Sequence, residues 1–154
     1  MNIINTINIT KRFGNNTIFQ NLNFKAKKGE IVTICGPSGQ GKSTFLRCLI
    51  GLEKIDNGTI EINGKTLVEN GKYVSSKKRL KILSEVGIVF QNYNLFPNLT
   101  ARQNLEIVKN DKDKMDKLLF RFGLYDKSND YPQNLSGGQK QRLAIIRTLL
   151  LELK

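Results

Sequence analysis

The fold turns on Gly36-Pro37-Ser38-Gly39-Gln40-Gly41-Lys42-Ser43-Thr44. Gly36, Gly41, Lys42 and Ser43 hold the fixed positions of G-x-x-x-x-G-K-[ST], a loop whose backbone N–H groups cradle phosphates. Upstream, Glu30-Ile31-Val32-Thr33-Ile34-Cys35 is a short apolar run that reads as a strand, and downstream Ser43–Leu52 has a helical pattern. Strand, glycine loop and helix bring free N–H groups and the positive end of a helix dipole onto one anion. Lys42 then supplies a charge to the β/γ-phosphates, and the Ser43 hydroxyl a ligand to Mg²⁺.

Working outward, the start of the chain is β-rich. Ile3–Phe13 alternates and ends at the turn Gly14-Asn15-Asn16, Thr17–Lys25 is a second strand, and Lys27-Lys28-Gly29 turns into the loop strand. Asp56-Asn57-Gly58 is a turn signal before a short strand and turn, Thr59–Gly64. Lys77–Glu85 reads as a basic surface helix, and Val86-Gly87-Ile88-Val89-Phe90 as a buried parallel strand ending at Gln91. From Thr100 the pattern is helical. Thr100-Ala101-Arg102-Gln103 is a capping box opening a helix through Val108, Asp113–Phe122 is amphipathic, and Ser136 and Gln139 form a second capping box. The helix it opens extends to the last residue.

Composition bounds the rest. At 154 residues the chain is about one domain, and 39% apolar with 25% charged residues suits a globular protein. No apolar run approaches a membrane span, and Met1-Asn2-Ile3-Ile4-Asn5 is no secretory signal, so the expected location is the cytoplasm. Cys35 and Cys48 are too few for a metal or redox site and read as buried small hydrophobes. The absence of histidine excludes His-based catalysis or metal binding. Net charge is +12, and residues 65–85 hold six basic and two acidic side chains. A solvated lysine-rich surface, attraction to acidic headgroups or an acidic partner, and nucleic-acid binding all fit that charge. Basic and aromatic residues are not interleaved as in a single-strand groove, so no nucleic-acid partner is expected.

Leu135-Ser136-Gly137-Gly138-Gln139 narrows the field. With the phosphate loop it resembles the ATP-binding cassette (ABC) ATPases, whose signature is LSGGQ. The resemblance implies an α/β P-loop NTPase of the ABC type. Its N-terminal β subdomain and P-loop core would span residues 1–99, the α-helical subdomain 100–135, and the signature helix 136–154. In the family, Ser136, Gly137, Gly138 and Gln139 would close on ATP held by a second cassette, so a dimer is implied. Ser136 also caps its helix. Phe13, in Lys11-Arg12-Phe13-Gly14, matches the adenine-stacking position, although a plain strand residue is the other reading. Gln91 resembles the glutamine that reaches Mg²⁺ and the attacking water, with Lys42 the other residue implied in catalysis. Gln91–Thr100 resembles the importer branch, especially cassettes for polar amino acids. Tyr93, Leu95 and Phe96 are then either contacts for transmembrane permease subunits or local packing. Arg142 and Arg147 match family positions or are merely solvated.

The family continues into a Walker B strand carrying an Mg²⁺-binding Asp and a catalytic Glu, and later a switch histidine. Here the chain ends at Leu151-Glu152-Leu153-Lys154, and Glu152 follows no strand that would make it a base. Between Leu143 and Leu153, eight of eleven residues are apolar and spread around the helix. The expectation is a C-terminally truncated cassette with little hydrolysis of its own, peripheral on the inner face of the membrane. The function implied is the ATP-binding subunit of an amino-acid importer. The alternatives are a hydrolysis-deficient fragment or inert product, and a soluble ABC protein acting on ribosomes or DNA.

Overall fold

The structure, a computed structural model, describes residues 2–151. The chain divides into two compact units, one ending at Ser84 and the other starting at Glu85.

The first unit is built on an antiparallel sheet in the order β2-β1-β3-β4-β5, with β1 Asn2–Phe13, β2 Asn16–Lys27, β3 Asn57–Ile62, β4 Lys65–Glu69 and β5 Lys72–Tyr73. Two helices belong to it, α1 Lys42–Leu49 and α2 Ser76–Leu83. Ile9, Ile60, Ile62, Leu67 and Val68 from the sheet are buried, as are Phe45, Cys48 and Leu49 from α1. Each such side chain contributes roughly 1.5–3 kcal/mol of transfer free energy. Phe45 meets the rings of Phe19 and Phe24 edge-on, with centroids 6.0 and 5.4 Å apart, which seats α1 against β2.

Simple alternation fails along β1. Ile7 and Ile9 should share a face, yet Ile9 is buried and Ile7 is 43% exposed. Between them Asn8 sits at φ 49°, its N–H donating to Asn23 Oδ1 across the strands, and the pairing shifts register there. A bulge resets the two-residue period. Gly58 lies against this bulge at φ 95°, where a Cβ would stand 2.5 Å from the Asn8 carbonyl oxygen. Asp56-Asn57-Gly58 is therefore no free turn: Asn57 and Gly58 already belong to β3, and glycine is needed for the close approach of two backbones.

Two expected strands are absent from the sheet. Residues 31–35 and 86–90 have no regular secondary structure, because an apolar run becomes a strand only where a neighbour supplies a ladder. Among the described residues none pairs with either. Ile31 is consequently 95% exposed and Val32 and Val89 are exposed. Cys35 follows them: it is exposed, and only Cys48 is the buried small hydrophobe expected of both.

The second unit is helical, with α3 Ala101–Glu106, α4 Lys112–Arg121, α5 Gly137–Leu149 and short 3-10 turns at Tyr125–Lys127 and Pro132–Asn134. Leu105, Met115, Leu119, Leu124, Leu143, Ile146 and Leu150 form its core. Both capping boxes exist: Thr100 and Gln103, and Ser136 and Gln139, each exchange side-chain hydrogen bonds with the other's backbone N–H. Leu143, Ile146 and Leu150 make one buried stripe on and just beyond α5, while Leu149 and Leu151 are exposed. The end of the expected helix and Glu152 lie outside the described residues.

Candidate nucleotide-binding site

The glycine loop runs into α1 with Gly41 as N-cap, at φ 81°. A Cβ on Gly41 would stand 2.3 Å from Ile18 Cγ2, so β2 and the loop pack too closely for any other residue. Gly41 offers no capping side chain, and no acidic residue stands in the first turn of α1. The N-terminal N–H groups of the helix and its positive dipole end are thus left for an external anion. Gly39, Gly41, Lys42, Ser43 and Thr44, with Ile18, line a cavity of about 170 Å³ at this point. A loop whose backbone would be blocked by a Cβ, at an uncapped helix start, fits a polyphosphate.

Lys42 Nζ donates to the carbonyl oxygens of Gly36, at 2.8 Å, and Pro37, at 2.6 Å. The ammonium is therefore held by the loop's own acceptors, and reaching a phosphate requires that it leave them. Ser38 and Gln40 are exposed on the loop. Gln40, Gly41 and Lys42 also border a second, more apolar cavity of about 260 Å³ walled by Phe19, Phe24, Ile34 and Phe45.

Phe13, at the end of β1, lines neither cavity. It is 48% exposed, and Lys11 Nζ stands 4.2 Å from its ring centroid. Ser43 is exposed on α1. For a metal, the donors that the resemblance implies, Ser43 and Gln91, are both neutral. Among the described residues no group of three or more His, Cys, Asp or Glu is placed to hold a cation. Such a set suits Mg²⁺ only as the companion of bound phosphate oxygens.

In the second unit, Gln91 is exposed and opens a tight turn in which Tyr93 and Asn94 are both left-handed, at φ 60° and 47°. Arg147 of α5 clamps this turn, its guanidinium donating to the carbonyls of Asn94 at 2.6 Å and Tyr93 at 2.9 Å. Burial lowers the Arg147 pKa from its ordinary value. Arg147 is therefore not a solvated arginine. The Tyr93 hydroxyl lies 3.8 Å from where a Gly137 Cβ would stand, so turn and signature are neighbours. At the signature, Ser136 Oγ accepts from Gln139 N–H at 3.3 Å, and Gln139 Oε1 accepts from Ser136 N–H at 2.7 Å. Gly137 and Gly138 are exposed and carry the two N–H groups that the capping box does not use.

These parts are a phosphate loop, a capped glycine signature and a glutamine turn. The sequence profile of one family, ABC transporter, matches residues 19–154. The chain belongs to the ABC transporter family. An arginine transport ATP-binding protein of Bacillus subtilis is 41% identical over 93% of this chain and 61% of its own length. A glutamate/aspartate import ATP-binding protein of Escherichia coli is 40% identical over 94% of this chain and 62% of its own. A post-hydrolysis dimer of the ATP-binding cassette MJ0796, bound to ADP and Pi, superposes with a TM-score of 0.80 at 32% identity, covering 97% of this chain and 70% of that one. The fold is that of a P-loop ABC cassette. The chain spans about three fifths of the length of the curated relatives it matches.

The sequence reading did not single out three residues of this ABC chain. Asn104 is fully buried and pins residues 96–100, its Oδ1 accepting from Phe96 N–H while its Nδ2 donates to the carbonyls of Phe96, Leu99 and Thr100. A lone Asn inside a helix carries no signal of this. Lys11 is buried although it reads as a surface charge, and Glu53, its partner, is distant in sequence. Among the described residues no helix is long and apolar enough to cross a membrane.

Proposed function

We propose that this chain binds ATP as part of the ATP-binding subunit of an amino-acid importer, working at the inner face of the cell membrane. The observation that carries the reading is the uncapped, glycine-lined start of α1 beside Lys42 and Ser43. The transport role and substrate class rest on the arginine and glutamate/aspartate relatives.

In this reading the loop 36–41 and the first N–H groups of α1 bind the phosphates and exclude water from them. Lys42 exchanges the Gly36 and Pro37 carbonyls for phosphate oxygens, neutralising charge near the bond to be broken. By the family resemblance Ser43 and Gln91 would be ligands to Mg²⁺, and the ion would withdraw charge from the phosphates. Phe13 stacks on adenine. Gly137 and Gly138 present their N–H groups to a nucleotide on a second cassette, Ser136 and Gln139 keeping that helix start rigid. Leu95 packs on the core of the second unit, as local packing would have it. Tyr93 and the half-exposed Phe96, in Gln91–Thr100, contact the permease, so the turn links nucleotide state to the membrane subunit.

Calorimetric titration with Mg-ATP tests the core of this reading. Lys42→Ala is expected to weaken binding about 10- to 100-fold, the loss of charge-assisted hydrogen bonds. Unchanged affinity would remove Lys42 from the site. In cells, loss of the gene should lower uptake of labelled arginine or glutamate; unaltered uptake of every amino acid would remove the transport role.

A further inference from the structure

Lys11 is 7% exposed, a rare position for an ammonium. Its Nζ has three partners: the Glu53 carboxylate at 3.2 Å, the Lys54 carbonyl at 2.9 Å, and the face of the Phe13 ring at 4.2 Å. The same strand end is tied to the same loop twice more. Asp56 N–H donates to the Thr10 carbonyl at 2.9 Å, and Arg12 N–H donates to Asp56 Oδ2 at 2.6 Å. Thr10 to Arg12 are thus fixed to residues 53–56, and the Phe13 ring has one face occupied by a cation while the residue stays half exposed.

We infer that Lys11 is the positioning residue for the base-stacking platform: it holds the inner face of Phe13 and leaves the outer face for a purine. The inference rests on the reading that Phe13 stacks on adenine. A cation on one face draws down the negative charge of the ring, so the free face repels an electron-rich base less. A ring already held in one orientation also loses less rotamer freedom when the base arrives. The energetic cost of burying the ammonium is met by Glu53 and the Lys54 carbonyl, so the device is built from four residues and not from Phe13 alone. Lys11 would therefore set how strongly the site prefers a nucleotide over a bare polyphosphate, without touching the phosphates.

The test measures ATP and inorganic tripolyphosphate affinities of the full chain by calorimetry at one salt concentration. Lys11→Met alone strands Glu53, so it is paired with Glu53→Gln, which removes both charges and keeps the volume; folding is checked by circular dichroism. Phe13→Ala is expected to weaken ATP about 5- to 100-fold, the range of one base stacked on an aromatic ring. K11M/E53Q is expected to weaken ATP about 3- to 10-fold, leave tripolyphosphate unchanged, and add nothing once Phe13→Ala is present. Equal weakening of both ligands, or full additivity with Phe13→Ala, would overturn the inference. So would a sensitive Phe13→Ala beside an insensitive K11M/E53Q. Unchanged ATP affinity in Phe13→Ala would instead overturn the stacking reading itself, and the role of Lys11 with it.

Discussion

Gly41→Ala should damage the site through a contact that can be switched off separately. The substitution puts a Cβ at a residue with φ 81°, 2.3 Å from Ile18 Cγ2. The left-handed backbone costs an L-residue roughly 1–2 kcal/mol. Forcing a methyl group into packed surroundings costs about 1–3 kcal/mol more. The reduced freedom of the unfolded chain returns about 0.4–1 kcal/mol, leaving a net loss of about 1–4.5 kcal/mol. That is a large part of the ~5–15 kcal/mol that holds a typical domain together. A urea titration followed by circular dichroism measures it. Ile18→Ala removes the offending Cγ2 while leaving φ alone. In that background Gly41→Ala should cost only the backbone part, so the double-mutant cycle should give a coupling of about 1–3 kcal/mol. Zero coupling would show that the loop does not lean on β2 as described, and a cost below about 0.5 kcal/mol in both backgrounds would refute the left-handed N-cap as well.

Arg147→Met leaves the Tyr93 and Asn94 carbonyls without their charged donor. We expect a loss of about 2–4 kcal/mol and faster amide exchange across residues 91–95; exchange confined to α5 would contradict the clamp. The two cysteines should separate by reactivity. Burial pushes the Cys48 thiol from 9.0 up to about 11, whereas Cys35 is exposed. A thiol reagent at pH 8 should modify Cys35 at once and Cys48 only after unfolding. The folded chain keeps its Cys48 proton longer than the unfolded one, so this contribution to stability is full below pH 9.0 and is lost as pH rises towards about 11. A Cys48→Ala variant that loses stability over the same alkaline range as the parent would remove the thiol as the cause.

The sequence by itself determined the parts whose signals are local. A phosphate loop is a run of glycines that needs certain φ angles and a helix just after it, and both capping boxes are i to i+3 relations along the chain. Such features are legible because the residues that interact are near one another in sequence. Apolar periodicity located the helices of the second unit, from Ala101 to α5, for the same reason. Tertiary structure decided everything that depends on a distant partner. Whether Ile31–Cys35 and Val86–Phe90 become strands depends on a neighbour, not on their own β propensity, and Cys35 is exposed as a result. The face shown by Ile7 depends on a bulge shared with β2. The pairing of Lys11 with Glu53 and Phe13, and of Arg147 with the Tyr93 turn, crosses 42 and 54 positions of sequence or joins a buried charge to a ring, and no local pattern encodes it. Local geometry wrote the phosphate-binding loop and the carbonyl partners of Lys42 into the sequence; long-range contacts chose how Lys11 and the Tyr93 turn are held.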